Sequence, residues 1–253
     1  MSKEVGNVGD EAEPAREVRG SLGLLAAMLA HWLRGPGEAS GFLMRTVFAA
    51  RCPIVLAKWR LEGLSGSRTT VYQSRWKLLE AAVKCARPDG LNLEFGVYKG
   101  ESINFLADRI PSLWHGFDSF EGLPRPWTPG FAKGALDAGG VLPPIRGNVR
   151  LWKGWFSETL PKFVESVKEK RISFLHIDSD LYESARLIFT FLGDRIAEGT
   201  VIVFDEYTGV TPDDEARAFR EWRRRTGARF RCFGCSLEGS IGVQVCDREL
   251  ADS

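Results

Sequence analysis

The chain has 253 residues with 34 basic and 33 acidic side chains, a formal charge of +1, so bulk charge supplies no long-range attraction to nucleic acid or anionic lipid. Hydrophobic residues at 44% and charged residues at 26% match an ordinary globular chain and exclude disorder as the main state. No apolar run approaches the roughly 20 residues of a bilayer span, and the five scattered cysteines, with one C-x-x-C pair at Cys232 and Cys235, supply neither a disulfide framework nor four zinc ligands.

In chain order, residues 1–20 read as a polar, mobile tail without the apolar core of a secretory signal, and the expected location is the cytoplasm. Leu22 to Leu33 and Phe42 to Trp59 have helical apolar periodicity and are separated by Gly35-Pro36-Gly37. They are expected to pack as a cap or a homo-oligomer contact. A third helix is predicted from Val71 to Ala86, stopping before Arg87-Pro88-Asp89-Gly90.

From there, short apolar runs alternate with amphipathic stretches. Strands are predicted at Leu91–Phe95, Ser112–Phe117, Val149–Lys153, Ile172–Ile177 and Thr200–Phe204, then near Phe230 and at Ile241–Val245. Helices are predicted at Glu101–Arg109, Glu158–Lys170, Leu181–Ile196 and Asp213–Thr226. Strands separated by helices of this length imply βαβ crossovers and a mostly parallel sheet. The Gly- and Pro-rich segment from Asp118 to Asn148 carries Trp127, Phe131 and Lys133, and reads as a closing loop or as a surface excursion.

In an open parallel sheet, ligands bind beyond the carboxyl ends of the strands. The first predicted core strand ends in Glu94-Phe95-Gly96-Val97-Tyr98-Lys99-Gly100-Glu101-Ser102, where two glycines permit a tight turn and a close ligand approach; a plain β-α turn would use them equally well. The spacing is neither a dinucleotide fingerprint nor a phosphate-binding loop. Asp118 ends the next strand, 24 positions after Glu94, where nucleotide-binding folds accept ribose hydroxyls. Its alternative is to cap the following turn. A glycine turn and an acid without a pyrophosphate loop suit S-adenosylmethionine better than a dinucleotide.

Two later strands end in His176-Ile177-Asp178-Ser179-Asp180 and Val203-Phe204-Asp205-Glu206-Tyr207. Alternation puts His176, Asp178 and Asp180 on one face, and Asp178, Asp205 and Glu206 are expected to converge. Clustered carboxylates repel one another unless a cation neutralises them, and oxygen ligands suit Mg²⁺. Against this stand helix capping for Asp178 and Asp180, and a satisfied core role for His176.

The runs Glu94–Ser102 and Gly116-Phe117-Asp118-Ser119-Phe120-Glu121-Gly122-Leu123-Pro124, with Lys153-Gly154-Trp155-Phe156, Thr159-Leu160-Pro161, His176–Ser184 and Gly199–Tyr207, resemble the macrocin O-methyltransferase group of class I methyltransferases. The resemblance spans roughly residues 70–246. It implies an α/β, Rossmann-like methyltransferase domain over residues 71–253, with a mostly parallel seven-stranded sheet, preceded by an N-terminal helical cap at 21–70. It also implies that S-adenosylmethionine and Mg²⁺ serve to methylate a hydroxyl of a small molecule such as a sugar, polyol or phenol.

By that likeness Glu94, Gly96 and Ser102 surround the methionine part of the cofactor, and Asp118 holds the ribose. Trp155 lies near the adenine, and Lys99, Gly100, Ser119 and Asp178 complete the cofactor site. Asp178, Asp205 and Glu206 hold the metal, with Asp178 also the catalytic proton acceptor. Two departures stand out: the usual Asp-Asp pair is Asp205-Glu206 here, and Ser179 replaces a glycine. Catechol-type relatives carry a lysine base where this chain has Leu181. A non-catalytic binder of S-adenosylmethionine with a degenerate metal site is the alternative. The arginine-rich stretch from Arg217 to Arg231 is offset by Asp213, Asp214, Glu215 and Glu221, and reads as a solvated helix face or a partner contact rather than a nucleic-acid site.

Overall fold

A computed structural model describes residues 17–18, 69–128, 131–168, 170–207 and 214–247. The helices expected at 22–33 and 42–59, and the oligomer contact expected from them, lie outside these residues.

The elements in order are β1 (Glu17–Val18), β2 (Thr69–Tyr72), α1 (Arg75–Cys85), β3 (Leu91–Phe95), α2 (Glu101–Ala107), β4 (Trp114–Asp118), β5 (Val149–Lys153) and α3 (Phe156–Ser166). They continue with β6 (Ile172–Ile177), α4 (Tyr182–Leu192), β7 (Val201–Phe204), α5 (Asp214–Thr226), β8 (Arg229–Ser236) and β9 (Ile241–Asp247). Among the described residues, nine strands form one sheet in the order β1-β2-β8-β9-β7-β6-β3-β4-β5. Seven of these, β3 to β9, are the expected strands; β1 and β2 extend the sheet beyond β8, so the expected seven become nine. β3, β4, β5, β6 and β7 are mutually parallel, whereas β9 runs antiparallel to β7 and β8.

The helix predicted from Val71 begins later. Thr69, Thr70, Val71 and Tyr72 are β-branched or aromatic, and they pair in parallel with Gly234 to Ser236 of β8. Ser74 then caps α1, its hydroxyl accepting the Lys77 N–H at 3.4 Å.

Two apolar layers hold the sheet. On one face, Leu93, Phe95, Phe117, Leu175, Ile177, Ile202 and Phe204 pack with α3, α4 and α5. On the other, Trp114, Phe174, Val201 and Val203 pack with Leu78, Leu79 and Ala82 of α1 and Ile103 and Leu106 of α2. The rings of Phe95 and Phe117 stack at 4.6 Å and are fully buried; burying each contributes about 2–3 kcal/mol of transfer free energy. Because Leu93 and Phe95 face the first layer, Asn92 and Glu94 must face the second, and both are buried there.

The chain runs from β3 outward through β4 to β5, then returns to β6 on the other side of β3. Strand order therefore reverses between β3 and β6, where an open α/β sheet leaves a crevice. The segment after β4 is less irregular than expected. Leu123 N–H donates to the Ala135 carbonyl at 2.8 Å, Gly134 N–H to Leu123 at 2.9 Å, and Gly140 N–H to Phe120 at 2.8 Å. Glu121 and Asp137 form an isolated antiparallel bridge. Among the described residues, no helix is long and apolar enough to cross a membrane.

Candidate active site

At the switch point the chain leaves β3 through Gly96, whose φ is +93°. A Cβ there would lie 1.7 Å from the Asp178 carbonyl oxygen, so only glycine lets the two strand tips approach this closely. Asp118 shapes the same turn. Its Oδ2 accepts the Val97 and Tyr98 N–H groups, both at 2.8 Å, and its Oδ1 accepts the Phe120 N–H at 2.7 Å. Tyr98 and Phe120 are non-glycine residues at positive φ, 48° and 58°; such strain persists where surrounding bonds over-determine the backbone. The turn-capping alternative for Asp118 is thus present, and one lone-pair direction on Oδ1 is left for a ligand.

This turn forms one wall of a cleft of about 680 Å³. Gly96, Lys99, Ser102, Asp118, Ser119 and Trp155 all line it. Glu94 lies behind the wall, fully buried, accepting the Ser102 hydroxyl at 3.1 Å. Gly100 also stands behind it, opening α2 in the left-handed conformation with φ +80°. From the β4–β5 segment Trp127 and Phe131 reach the cleft, their rings 5.4 Å apart edge to face, whereas Lys133 is exposed elsewhere.

The opposite wall carries the acids. Asp178, Asp180 and Glu206 line it together with Arg75. One ligand atom from each of His176, Asp178 and Asp205 lies within 4.8 Å of the other two. Asp178 and Asp205 therefore converge as the sequence predicts. Glu206 stands outside that trio, and His176, expected as a core group, supplies the third donor.

The imidazole is oriented from behind. His176 Nδ1 lies 2.9 Å from Glu94 Oε2, both groups fully buried. A carboxylate accepts, so Nδ1 carries the proton, and in the neutral imidazole Nε2 presents a lone pair. Among the described residues, that Nε2 is buried without a hydrogen-bond partner. An orphaned imidazole nitrogen beside two carboxylates is a donor set that fits a divalent cation.

Electrostatics mark the same corner. Burial, then the charges of Asp205, Asp180 and Glu215, push the Asp178 carboxyl well above the usual carboxylate range. Burial with Asp205 and Asp118 lifts Asp180 to about 7, and burial with Asp205 and Asp180 lifts Glu206 to about 8. Perturbed carboxylates in a cleft are what functional sites produce.

Two contributors were invisible in the sequence pattern. Arg75 Nη1 donates to Asp205 Oδ2 at 2.9 Å and to Asp178 Oδ2 at 3.4 Å. Glu215, buried on α5, accepts the Ser179 N–H at 2.9 Å and the Glu206 N–H at 3.3 Å, clamping the two acidic tips from below. Both lie in stretches with helical patterning, and no local spacing links them to residues at the strand ends.

A methyltransferase-domain family model matches residues 93–207, which run from β3 to just past β7. The 8-demethyl-8-(2,3-dimethoxy-alpha-L-rhamnosyl)-tetracenomycin-C 4'-O-methyltransferase of Streptomyces olivaceus is 29% identical over 56% of this chain. This chain spans 64% of the length of that relative. The crystal structure of CalS11, a calicheamicin methyltransferase, superposes with a TM-score of 0.50 at 18% identity, covering 94% of this chain and 99% of its own. The matched segment contains the glycine turn and both acidic tips. Residues 93–207 match a methyltransferase domain, and the chain has the α/β, Rossmann-like fold of the methyltransferase structure it superposes on.

Proposed function

We propose that this protein transfers the methyl group of S-adenosylmethionine to a hydroxyl of a small molecule, with a sugar, polyol or phenolic natural product as acceptor. The observation that carries this reading is the shared cleft: the glycine turn and the acids Asp178, Asp180 and Glu206 line a single cavity, and His176 and Asp205 each bring a ligand atom within 4.8 Å of Asp178. A sulfonium donor on the first wall would then sit beside an acceptor oxygen on the second, and holding both reactants supplies much of the rate.

On the donor side, Gly96 leaves room for the methionine part, with Ser102, Ser119 and Lys99 around it. Asp118 fixes the turn and offers its remaining lone pair to the ribose, and Trp155 presents a ring for the adenine. On the acceptor side, Trp127 and Phe131 provide apolar faces for a sugar or an aromatic ring. The rhamnosyl-tetracenomycin O-methyltransferase similarity supports an acceptor of this kind.

Asp178, which lines the cleft beside Asp205, accepts the hydroxyl proton. His176, Asp178 and Asp205 would hold a divalent cation, Mg²⁺ by the family likeness, with Glu206 at the edge. Such an ion lowers the pKa of an oxygen bound to it.

The test is calorimetry with S-adenosylmethionine, with and without Mg²⁺, on the wild type and Asp178→Asn, alongside transfer of labelled methyl to sugars, polyols and catechols. Cofactor binding is expected to survive the substitution while transfer disappears. Full transfer by Asp178→Asn in chelator would defeat the reading.

A further inference from the structure

The acid pair already has a cation. A single nitrogen, Nη1 of Arg75, reaches both Asp178 Oδ2 and Asp205 Oδ2. Two carboxylate oxygens thus face one point in space, and that point holds positive charge supplied by the chain. The three side chains are only partly covered, at 28%, 25% and 13% exposure, so solvent ions reach the group from the cleft.

We propose that Arg75 is an exchangeable counter-ion, its guanidinium competing with a divalent cation for the Asp178–Asp205 pair. This rests on the reading of that pair as a metal site. Three observations support exchange rather than permanent replacement. The guanidinium has donors only, so it satisfies the two acids and leaves His176 Nε2 orphaned. A divalent ion would satisfy all three residues, since each offers a ligand atom within 4.8 Å of the others. Arg75 holds Asp178 Oδ2 and Asp205 Oδ2, and two cations at contact distance on the same oxygens repel strongly, so a divalent ion that takes those oxygens displaces the guanidinium.

Arg75 is also placed to move without unfolding anything. It is the first residue of α1, and its backbone N–H is held by Glu238 Oε2 at 2.8 Å independently of the side chain. The guanidinium carbon also lies 4.8 Å from the Trp76 ring centre while it bridges the two acids. The cation-free protein thereby avoids two facing, uncompensated carboxylates, and metal affinity is set by a residue that ligates nothing.

The probe is Mn²⁺, titrated into the full chain and followed by the electron paramagnetic resonance of the free ion, which needs no turnover. Arg75→Met is expected to bind Mn²⁺ at least tenfold more tightly than the wild type. Arg75→Lys should fall between them, and Asp178→Asn should abolish binding. Equal affinity, weaker affinity in Arg75→Met, or no Mn²⁺ binding by either protein overturns the proposal. Should Arg75→Met fail to fold, ¹⁵N-arginine-labelled wild type is titrated with Mg²⁺. The Arg75 Nε–H resonance must shift as the salt bridge opens, and an unmoved signal at saturation overturns exchange. Loss of S-adenosylmethionine binding, measured separately, would strike the functional reading and not this one.

Discussion

Gly96 and Asp178 touch backbone to backbone at the switch point: the space a Cβ would need at Gly96 is occupied by the Asp178 carbonyl oxygen, 1.7 Å from its ideal position. The contact joins the donor wall of the cleft to the acceptor wall, because Asp178 N–H also donates to the Phe95 carbonyl at 2.8 Å. Gly96→Ala must separate the tips or strain a φ of +93°. We expect it to cost about 3 kcal/mol or more of stability and to remove S-adenosylmethionine binding in calorimetry. A variant that binds normally would show that the tips need not meet.

Asp118 gathers three backbone N–H groups. Asp118→Asn turns one acceptor oxygen into a donor that faces other donors. Hydrogen bonds to charged groups are worth about 1.5–3 kcal/mol each, and partial compensation should leave a loss of about 2–4 kcal/mol in urea unfolding. Cofactor affinity should fall more than tenfold, since the turn it holds is the donor wall.

Glu215 bridges Ser179 and Glu206 through their backbone N–H groups. Glu215→Ala leaves both donors unpaired over a cavity, and a loss of about 3–5 kcal/mol is expected by thermal unfolding. Glu215→Gln keeps one acceptor oxygen and the packing, so it should be clearly milder. Equal, small effects from the two substitutions would mean that the clamp is ornamental.

His115 supplies a pH dependence far from the acids. Burial first, then the charges of Arg150 and Lys170, push its pKa down to about 4 from 6.5, and its Nδ1 accepts the Trp152 indole N–H at 3.1 Å. The unfolded chain binds a proton between pH 6.5 and 4 that the folded chain refuses. This contribution is therefore complete above pH 6.5 and is lost as pH falls toward 4, amounting to about 3 kcal/mol. The difference in unfolding free energy between wild type and His115→Gln, followed across that range, isolates it; a constant difference would refute the assignment.

Much of the architecture was legible along the chain. Leu91–Phe95, Val149–Lys153 and Ile172–Ile177 are strands over the predicted residues, because short apolar runs bounded by glycine and charge admit little else. Val71 and Tyr72 went astray because four residues of strand ahead of a capped helix blur into its periodicity. Their true partner is β8, some 160 positions later in the chain.

The acid-rich tips of β6 and β7 were likewise visible, because side-chain alternation and the parallel pairing of neighbouring strands follow from local pattern. What stands between those tips was not. Arg75 reaches Asp178 and Asp205 across 103 and 130 positions, Glu215 reaches Ser179 across 36, and Glu94 reaches His176 across 82. Composition and periodicity alone determined an α/β sheet with carboxylates at its carboxyl edge. Only the tertiary structure decided that a guanidinium compensates them and that an imidazole lone pair joins them, because those contacts are set by strand order and helix docking, which no local spacing encodes.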